Sequence, residues 1–290
     1  MELKIENLEK KYPNGVHALK QVNLTIKPGM FGLLGPNGAG KSSLMRTLAS
    51  LQEPDSGTAF LGEIDILTDK HSLRQNLGYL PQEFGVYPRV SAEELLDHLC
   101  LLKGLKNKSE RKELMEFLLQ KVNLFEHRKK SVASFSGGMR QRFGIAQCLI
   151  GSPKLVIVDE PTAGLDPGER NRFYNILSEI GEEVIVILST HIVQDVRELC
   201  SHMAIMDKGE VLFNGTTDQA IELVRNKVWE KRISKTELTE YQEKYQIISN
   251  KRVAGLPMIN VFSEDNPMNG FIKSDENLES VFFAKLNGLI

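Results

Sequence analysis

Gly35-Pro36-Asn37-Gly38-Ala39-Gly40-Lys41-Ser42 is the stretch from which the rest of this chain is best read. It fits the phosphate-loop pattern G-x-x-x-x-G-K-[ST], and Ser43 continues it. Its surroundings fit too: the apolar run Phe31–Leu34 reads as a strand leading in, and Ser43–Ser50 as a helix leading out. Gly35, Gly38 and Gly40 permit backbone conformations closed to other residues, so successive N–H groups can face a polyphosphate. The following helix adds its positive end. Lys41 is then expected to reach the β- and γ-phosphates, and Ser42 to ligate Mg²⁺. A glycine-rich turn that binds nothing is the competing reading, and the flanking strand and helix weigh against it.

Leu155–Glu160 reads L-V-I-V-D-E. A continuous apolar run of this kind fits a strand buried on both faces of a parallel sheet. Acids at its C-terminal end emerge where ligands bind in such folds. Asp159 is expected to hold Mg²⁺, directly or through water. Glu160, pointing to the other side of the strand, is expected to polarise an attacking water. Taken alone, the same residues read equally well as a strand that ends in solvated acids.

Ser134–Arg142 reads S-F-S-G-G-M-R-Q-R. Ser136 offers a hydroxyl, the glycines expose N–H groups, and a helix is expected from Gly138 to Ile150. At this point the chain resembles the ATP-binding cassette ATPases, whose signature is L-S-G-G-Q. Phe135, Ser136, Gly137, Gly138 and Met139 stand at its five positions; Phe135 and Met139 depart from it, while Ser-Gly-Gly is intact. The resemblance, not the spacing, implies that the signature of one subunit closes on the nucleotide held by the phosphate loop of another.

Four smaller elements match the family in order. Tyr12, in K-K-Y-P-N-G, matches the aromatic residue that stacks on adenine. Gln82, in Y-L-P-Q-E-F-G, matches the glutamine that joins the Mg²⁺ and water shell and senses the membrane partner. Asp166, in A-G-L-D-P, matches the loop that crosses the dimer interface. Asp166 also reads as a helix cap, with Pro167 at the first helical position and Glu169 at the third. His191, in L-S-T-H-I, follows the strand Val184–Leu188 and matches the histidine that contacts the γ-phosphate.

Composition narrows the class further. With 36 Lys+Arg against 38 Asp+Glu in 290 residues, the chain lacks the basic excess of a nucleic-acid surface, and no nucleic-acid partner is expected. Cys100, Cys148 and Cys200 lie far apart without metal-ligand spacing, so buried free thiols in a reducing compartment are expected. No stretch approaches the roughly 20 apolar residues that span a bilayer. The N-terminus, M-E-L-K-I-E-N-L, alternates like a strand without signal-peptide character.

The expected fold is an α/β P-loop NTPase cassette over 1–215, with a mainly parallel sheet. Leu3–Leu8, Val22–Ile26 and Thr58–Leu61 predict an antiparallel subdomain beside it. About 83–150 is expected to form a helical subdomain. It contains a helix opened by Ser91 and Glu94 with Leu95, Leu96, Leu99 and Leu102 as its stripe, and another near Ser109–Val122 with Leu114, Phe117, Leu118 and Lys121 at helical spacing. A hairpin around Lys208-Gly209 closes the cassette, and 216–290 reads as a small α+β appendage. Short strands are expected there at Ile247–Ile248 and Met258–Phe262, and a last helix at about Asp275–Leu286. A solubilising tail is the alternative; N-L-E-S-V-F-F in that helix resembles the branch serving type-2 exporters.

The resemblance implies a subunit that hydrolyses ATP with Mg²⁺ between two cassettes, a second copy of itself or a paralogue. The helical subdomain would dock on a separate polytopic permease, at the inner face of the cell membrane. A soluble cassette acting on ribosomes or DNA is the runner-up, against which stand the single signature and the absence of sustained heptads. A GTPase switch would carry N-K-x-D, which the sequence lacks.

Overall fold

The computed structural model describes residues 1–82, 85, 88–253 and 255–290. Two compact units emerge: Met1–Ser201 with Met206–Val211, and His202–Ile205 with Leu212–Ile290.

In the first unit, β1 (Leu3–Lys11) and β2 (His17–Ile26) pair antiparallel across a turn in which the Tyr12 N–H donates to Val16 O. Burial along β1 switches from odd to even positions at Asn7, whose positive φ of 49° and N–H bond to Asn23 Oδ1 mark a bulge. β3 (Gly29–Leu34) runs into the phosphate loop and α1 (Lys41–Leu48). β4 (Ser56–Leu61) and β5 (Ile64–Asp65) complete an antiparallel sheet in the order β2-β1-β4-β5.

The chain continues through α2 (Lys70–Asn76) and β6 (Leu77–Leu80), neither of which the sequence reading foresaw. A four-residue strand with a glycine inside it carries too little periodicity to register. The helical segment holds α3 (Ala92–Leu102), α4 (Lys108–Lys121) and α5 (Gly137–Cys148). Residues 83, 84, 86 and 87, at the start of the expected subdomain, lie outside the described residues. Ser91 and Glu94 form the expected capping box. The stripes differ from expectation: α4 buries Arg111, Met115, Leu118 and Leu119, and Phe117 is exposed, as is Leu102 at the end of α3. Arg111 is accommodated because its Nε donates to Asp97 Oδ1 at 2.6 Å and its Nη1 to two backbone carbonyls.

β7 (Leu155–Asp159), α6 (Pro167–Ile180), β8 (Ile185–Thr190) and α7 (Val193–Leu199) follow as alternating layers. Strands β3, β8, β7 and β6 lie side by side and parallel, and every residue of β7 and β8 is buried, as a sheet covered on both faces requires. Their register sets Leu34 opposite Thr190, Asp159 opposite Ser189 and Leu80 opposite Val158. The carboxyl ends of four strands thus open on one edge.

β9 (His202–Asp207) and β10 (Glu210–Thr216) flank Lys208-Gly209. In the second unit, α8 (Thr217–Glu222), β11 (Val228–Arg232), α9 (Leu238–Lys244), β12 (Gln246–Val253), β13 (Leu256–Phe262), β14 (Ile272–Lys273) and α10 (Leu278–Leu286) build an α+β layer. The sheet runs β12-β13-β11-β14, all antiparallel, over a core of Ile233, Tyr241, Ile259, Val261 and Phe271. The two short strands expected here are in fact a full hairpin. S-N-K-R in β12 reads as loop, but an edge strand needs main-chain pairing on one side only and tolerates such residues. The last helix begins at Leu278, not near Asp275, because Asn277 caps it by accepting from Ser280 N–H.

Candidate functional site: a phosphate-loop cradle at the sheet edge

The parallel register brings distant segments together. The phosphate loop leaves β3 at Leu34, His191 follows the last residue of β8, Glu160 follows the last residue of β7, and Gln82 lies two residues beyond β6. Loops that leave the carboxyl ends of adjacent parallel strands share one crevice, which is where ligands enter such sheets.

Lys41 opens α1, and only 4% of it is exposed. Its Nζ donates to Gly35 O at 2.7 Å and Pro36 O at 3.1 Å, and lies 3.6 Å from Glu160 Oε1. Burial lowers the Lys41 ammonium below its ordinary value, while the Glu160 and Asp159 charges oppose that fall. Gly40 caps the helix at φ 104°, and a Cβ there would lie 2.3 Å from Ala18 O. Only glycine lets the loop turn this close to β2. Pro36–Ser43 line a cavity of about 390 Å³ with Tyr12, Val16, Ala18, Gln82 and Glu160.

Glu160 is the hub. Its Oε1 lies 3.2 Å from His191 Nδ1, and its Oε2 accepts from Gln82 Nε2 at 3.4 Å. Its backbone sits at φ 49°, a sparsely populated conformation for a non-glycine residue, and its N–H donates to Ser189 O at 2.8 Å.

Asp159, one residue earlier, is buried, and its Oδ1 has no hydrogen-bond partner. Burial raises its carboxyl above the ordinary range; nearby Ser189 counters this, the Glu160 charge adds to the rise, and Lys41 and Ser42 oppose it. An orphaned carboxylate oxygen beside the exposed Ser42 is an environment that a hard, oxygen-seeking cation relieves, so these residues fit Mg²⁺. Among the described residues no cluster of three or more His, Cys, Asp or Glu could hold a metal ion. Such an ion therefore also needs oxygens from nucleotide phosphates.

Tyr12 borders the cavity, its hydroxyl 3.1 Å from Ser43 Oγ and donating to Gln52 Oε1 at 2.8 Å. The signature stands apart. Ser136 caps α5 by accepting from Met139 N–H, Gly137 faces open space, and Gly138 packs against Glu169. Asp166 caps α6 by accepting from Glu169 N–H at 2.8 Å. None of Ser136–Met139 or Asp166 lines the cavity.

Sequence reasoning passed over two acid clusters, one half-buried around Glu169 and one fully buried around Asp195. Glu169 pairs with Arg142 of α5 and Arg172 of α6, tying the signature helix to the helix that Asp166 caps. Asp195 in α7 accepts from Thr162, Thr190 and Tyr174 hydroxyls. The available signal was an acid at 195 on the same row as Leu199, inside a helix's apolar stripe.

A parallel sheet with a phosphate loop, a strand-end acid pair and a histidine on the next strand defines a P-loop nucleoside-triphosphatase fold. The ABC transporter family model matches residues 19–163. The linearmycin resistance ATP-binding protein LnrL of Bacillus subtilis (strain 168) is 36% identical over 216 residues, covering 74% of this chain and 69% of that protein. The ABC transporter ATP-binding protein NatA of the same organism is 35% identical, over 73% of this chain and 87% of its own. Among solved structures, the ATP-binding cassette MJ0796, a dimer in a post-hydrolysis state bound to ADP and Pi, is 26% identical with a TM-score of 0.67, covering 74% of this chain and 98% of that one. The chain belongs to the ABC transporter family, as one of its ATP-binding cassettes.

Proposed function

We propose that this chain is the ATP-hydrolysing subunit of an ABC exporter, with Glu160 at the centre of its chemistry. The observation that carries this reading is the convergence on one carboxylate of Lys41, His191 and Gln82 beside the phosphate loop. The loop N–H groups and Lys41 bind the β- and γ-phosphates, Lys41 exchanging its carbonyl partners for phosphate oxygens. Tyr12 offers its ring to adenine. Glu160 orients a water and takes its proton as the water oxygen bonds to the γ-phosphorus and the bridging P–O bond breaks, leaving ADP and phosphate. His191 and Gln82 hold the γ-phosphate end. Ser42, Asp159 and Gln82 would hold Mg²⁺, which would supply charge neutralisation at the phosphates.

The exposed Ser136–Gly137 helix start, outside the cavity of its own chain, supports completion of the site by a second cassette, and the similar cassette MJ0796 is itself a dimer. Asp166 would then lie at the seam. Membership of a transporter family supports a separate polytopic permease as the transport path, with this subunit peripheral on its cytoplasmic side. The resistance function in the name of LnrL supports export. Purification from detergent-solubilised membranes tests the assembly: a polytopic partner and ATP-dependent phosphate release are expected, and recovery with ribosomes or DNA instead overturns it.

A further inference from the structure

The Asp195 carboxyl is fully buried (0% exposed), and among the described residues it has no basic partner within ion-pair distance. A carboxyl group in such a place is tolerable only if donors surround it. Three hydroxyls do: Thr162 Oγ1 at 2.6 Å, Thr190 Oγ1 at 2.8 Å, and Tyr174 OH from α6. Two of these sit where the chemistry is. Thr162 lies two residues after Glu160, and Thr190 immediately precedes His191.

Thr190 Oγ1 also accepts from the Ile192 N–H at 3.0 Å, so one hydroxyl grips the backbone on either side of His191. Glu160 holds a positive φ, a conformation that persists only when its surroundings over-determine it. The turn just beyond it is pinned through Thr162 to the same carboxyl.

We infer that Asp195 is a positioning residue that sets the separation of Glu160 and His191 by tying together the two turns that carry them. It touches neither substrate nor reacting atoms. The inference rests on the reading that Glu160 and His191 act on the γ-phosphate. Misplacement of a catalytic group by about 1 Å slows chemistry by up to about a hundredfold without weakening binding.

The experiment measures kcat and KM for ATP hydrolysis by the full chain. Thr162→Val and Thr190→Val remove one donor each at nearly constant volume. Each is expected to lower kcat about tenfold with KM within about twofold of the parent, a transition-state loss without a ground-state one. Thr162→Ser and Thr190→Ser restore the hydroxyl and are expected to return kcat to within about threefold. Phe173→Leu, in the buried face of α6, serves as a stability control and keeps kcat despite a lower Tm. Parent-like kcat in both valine variants overturns the inference, provided Glu160→Gln has collapsed turnover. So does a loss shared between kcat and KM that the serines do not repair, because that pattern marks general destabilisation. Parent-like turnover in Glu160→Gln overturns the underlying reading itself, and the inference with it.

Discussion

Glu160 Oε1 and His191 Nδ1 stand 3.2 Å apart, although 30 residues separate them in the chain. The pair exists because β7 and β8 are parallel neighbours in a register that sets Asp159 against Ser189. Glu160→Gln keeps the shape and the Gln82 contact but removes the proton acceptor. Turnover is expected to fall by about 10²–10³, with ATP affinity within a few-fold. Phosphate release set against nucleotide binding checks this; parent-like turnover removes Glu160 from its role.

Lys41→Ala takes the buried ammonium away from the phosphate loop. A charge-assisted contact to phosphate contributes about 1.5–3 kcal/mol, so ATP affinity is expected to fall about 10- to 100-fold. Titration with a fluorescent nucleotide reads it directly, and unchanged affinity refutes the assignment.

Gly137 and Gly138 are adjacent and predict opposite outcomes. A Cβ at Gly138 would sit 2.3 Å from Glu169 Oε2, and Arg142 and Arg172 hold that carboxylate in place. Gly138→Ala is expected to lose about 1–3 kcal/mol by overpacking. Gly137→Ala meets open space and is expected to match the parent in a thermal melt. Equal Tm values for the two variants would contradict the close approach of Glu169.

The three cysteines are buried and free, and burial raises the thiols of all of them, Cys148 to about 12. The thiolate is the reactive form, so a raised value suppresses alkylation until the pH approaches it. At pH 8 the Cys148 thiolate is then present at roughly one part in ten thousand. Native protein is expected to resist iodoacetamide and to take up three equivalents in denaturant. Rapid labelling of the native chain would show that these sites open.

In the second unit, Phe271 packs on Tyr241 and Tyr245 with ring centroids 6.1 and 5.0 Å away. Phe271→Ala is expected to cost that unit about 3–5 kcal/mol. Hydrogen exchange in β11 and β13 measures it, and unaltered protection there would place the core elsewhere.

The phosphate loop between β3 and α1 was legible in the chain because its pattern is local: a run of glycines, a lysine and a hydroxyl must be contiguous to wrap backbone N–H groups around an anion. The Ser91–Glu94 box, the Asp166 cap and the apolar run of β7 are likewise short-range patterns, and each appears where its residues indicated. β6 and the polar half of β12 were not legible, since both owe their strand form to a neighbour's main chain. Phe117, read as core, faces solvent because α4 is rotated to bury Arg111 against Asp97.

By itself, then, the order of residues determined the phosphate loop, the helix caps and the turns, because each depends on neighbours a few positions away. Only the tertiary structure decided that Glu160 faces His191 and Lys41, and that Asp195 lies beneath the two turns beside them. Those relations follow from the register of parallel strands, and parallel strands meet only through crossovers too long for any local pattern to encode.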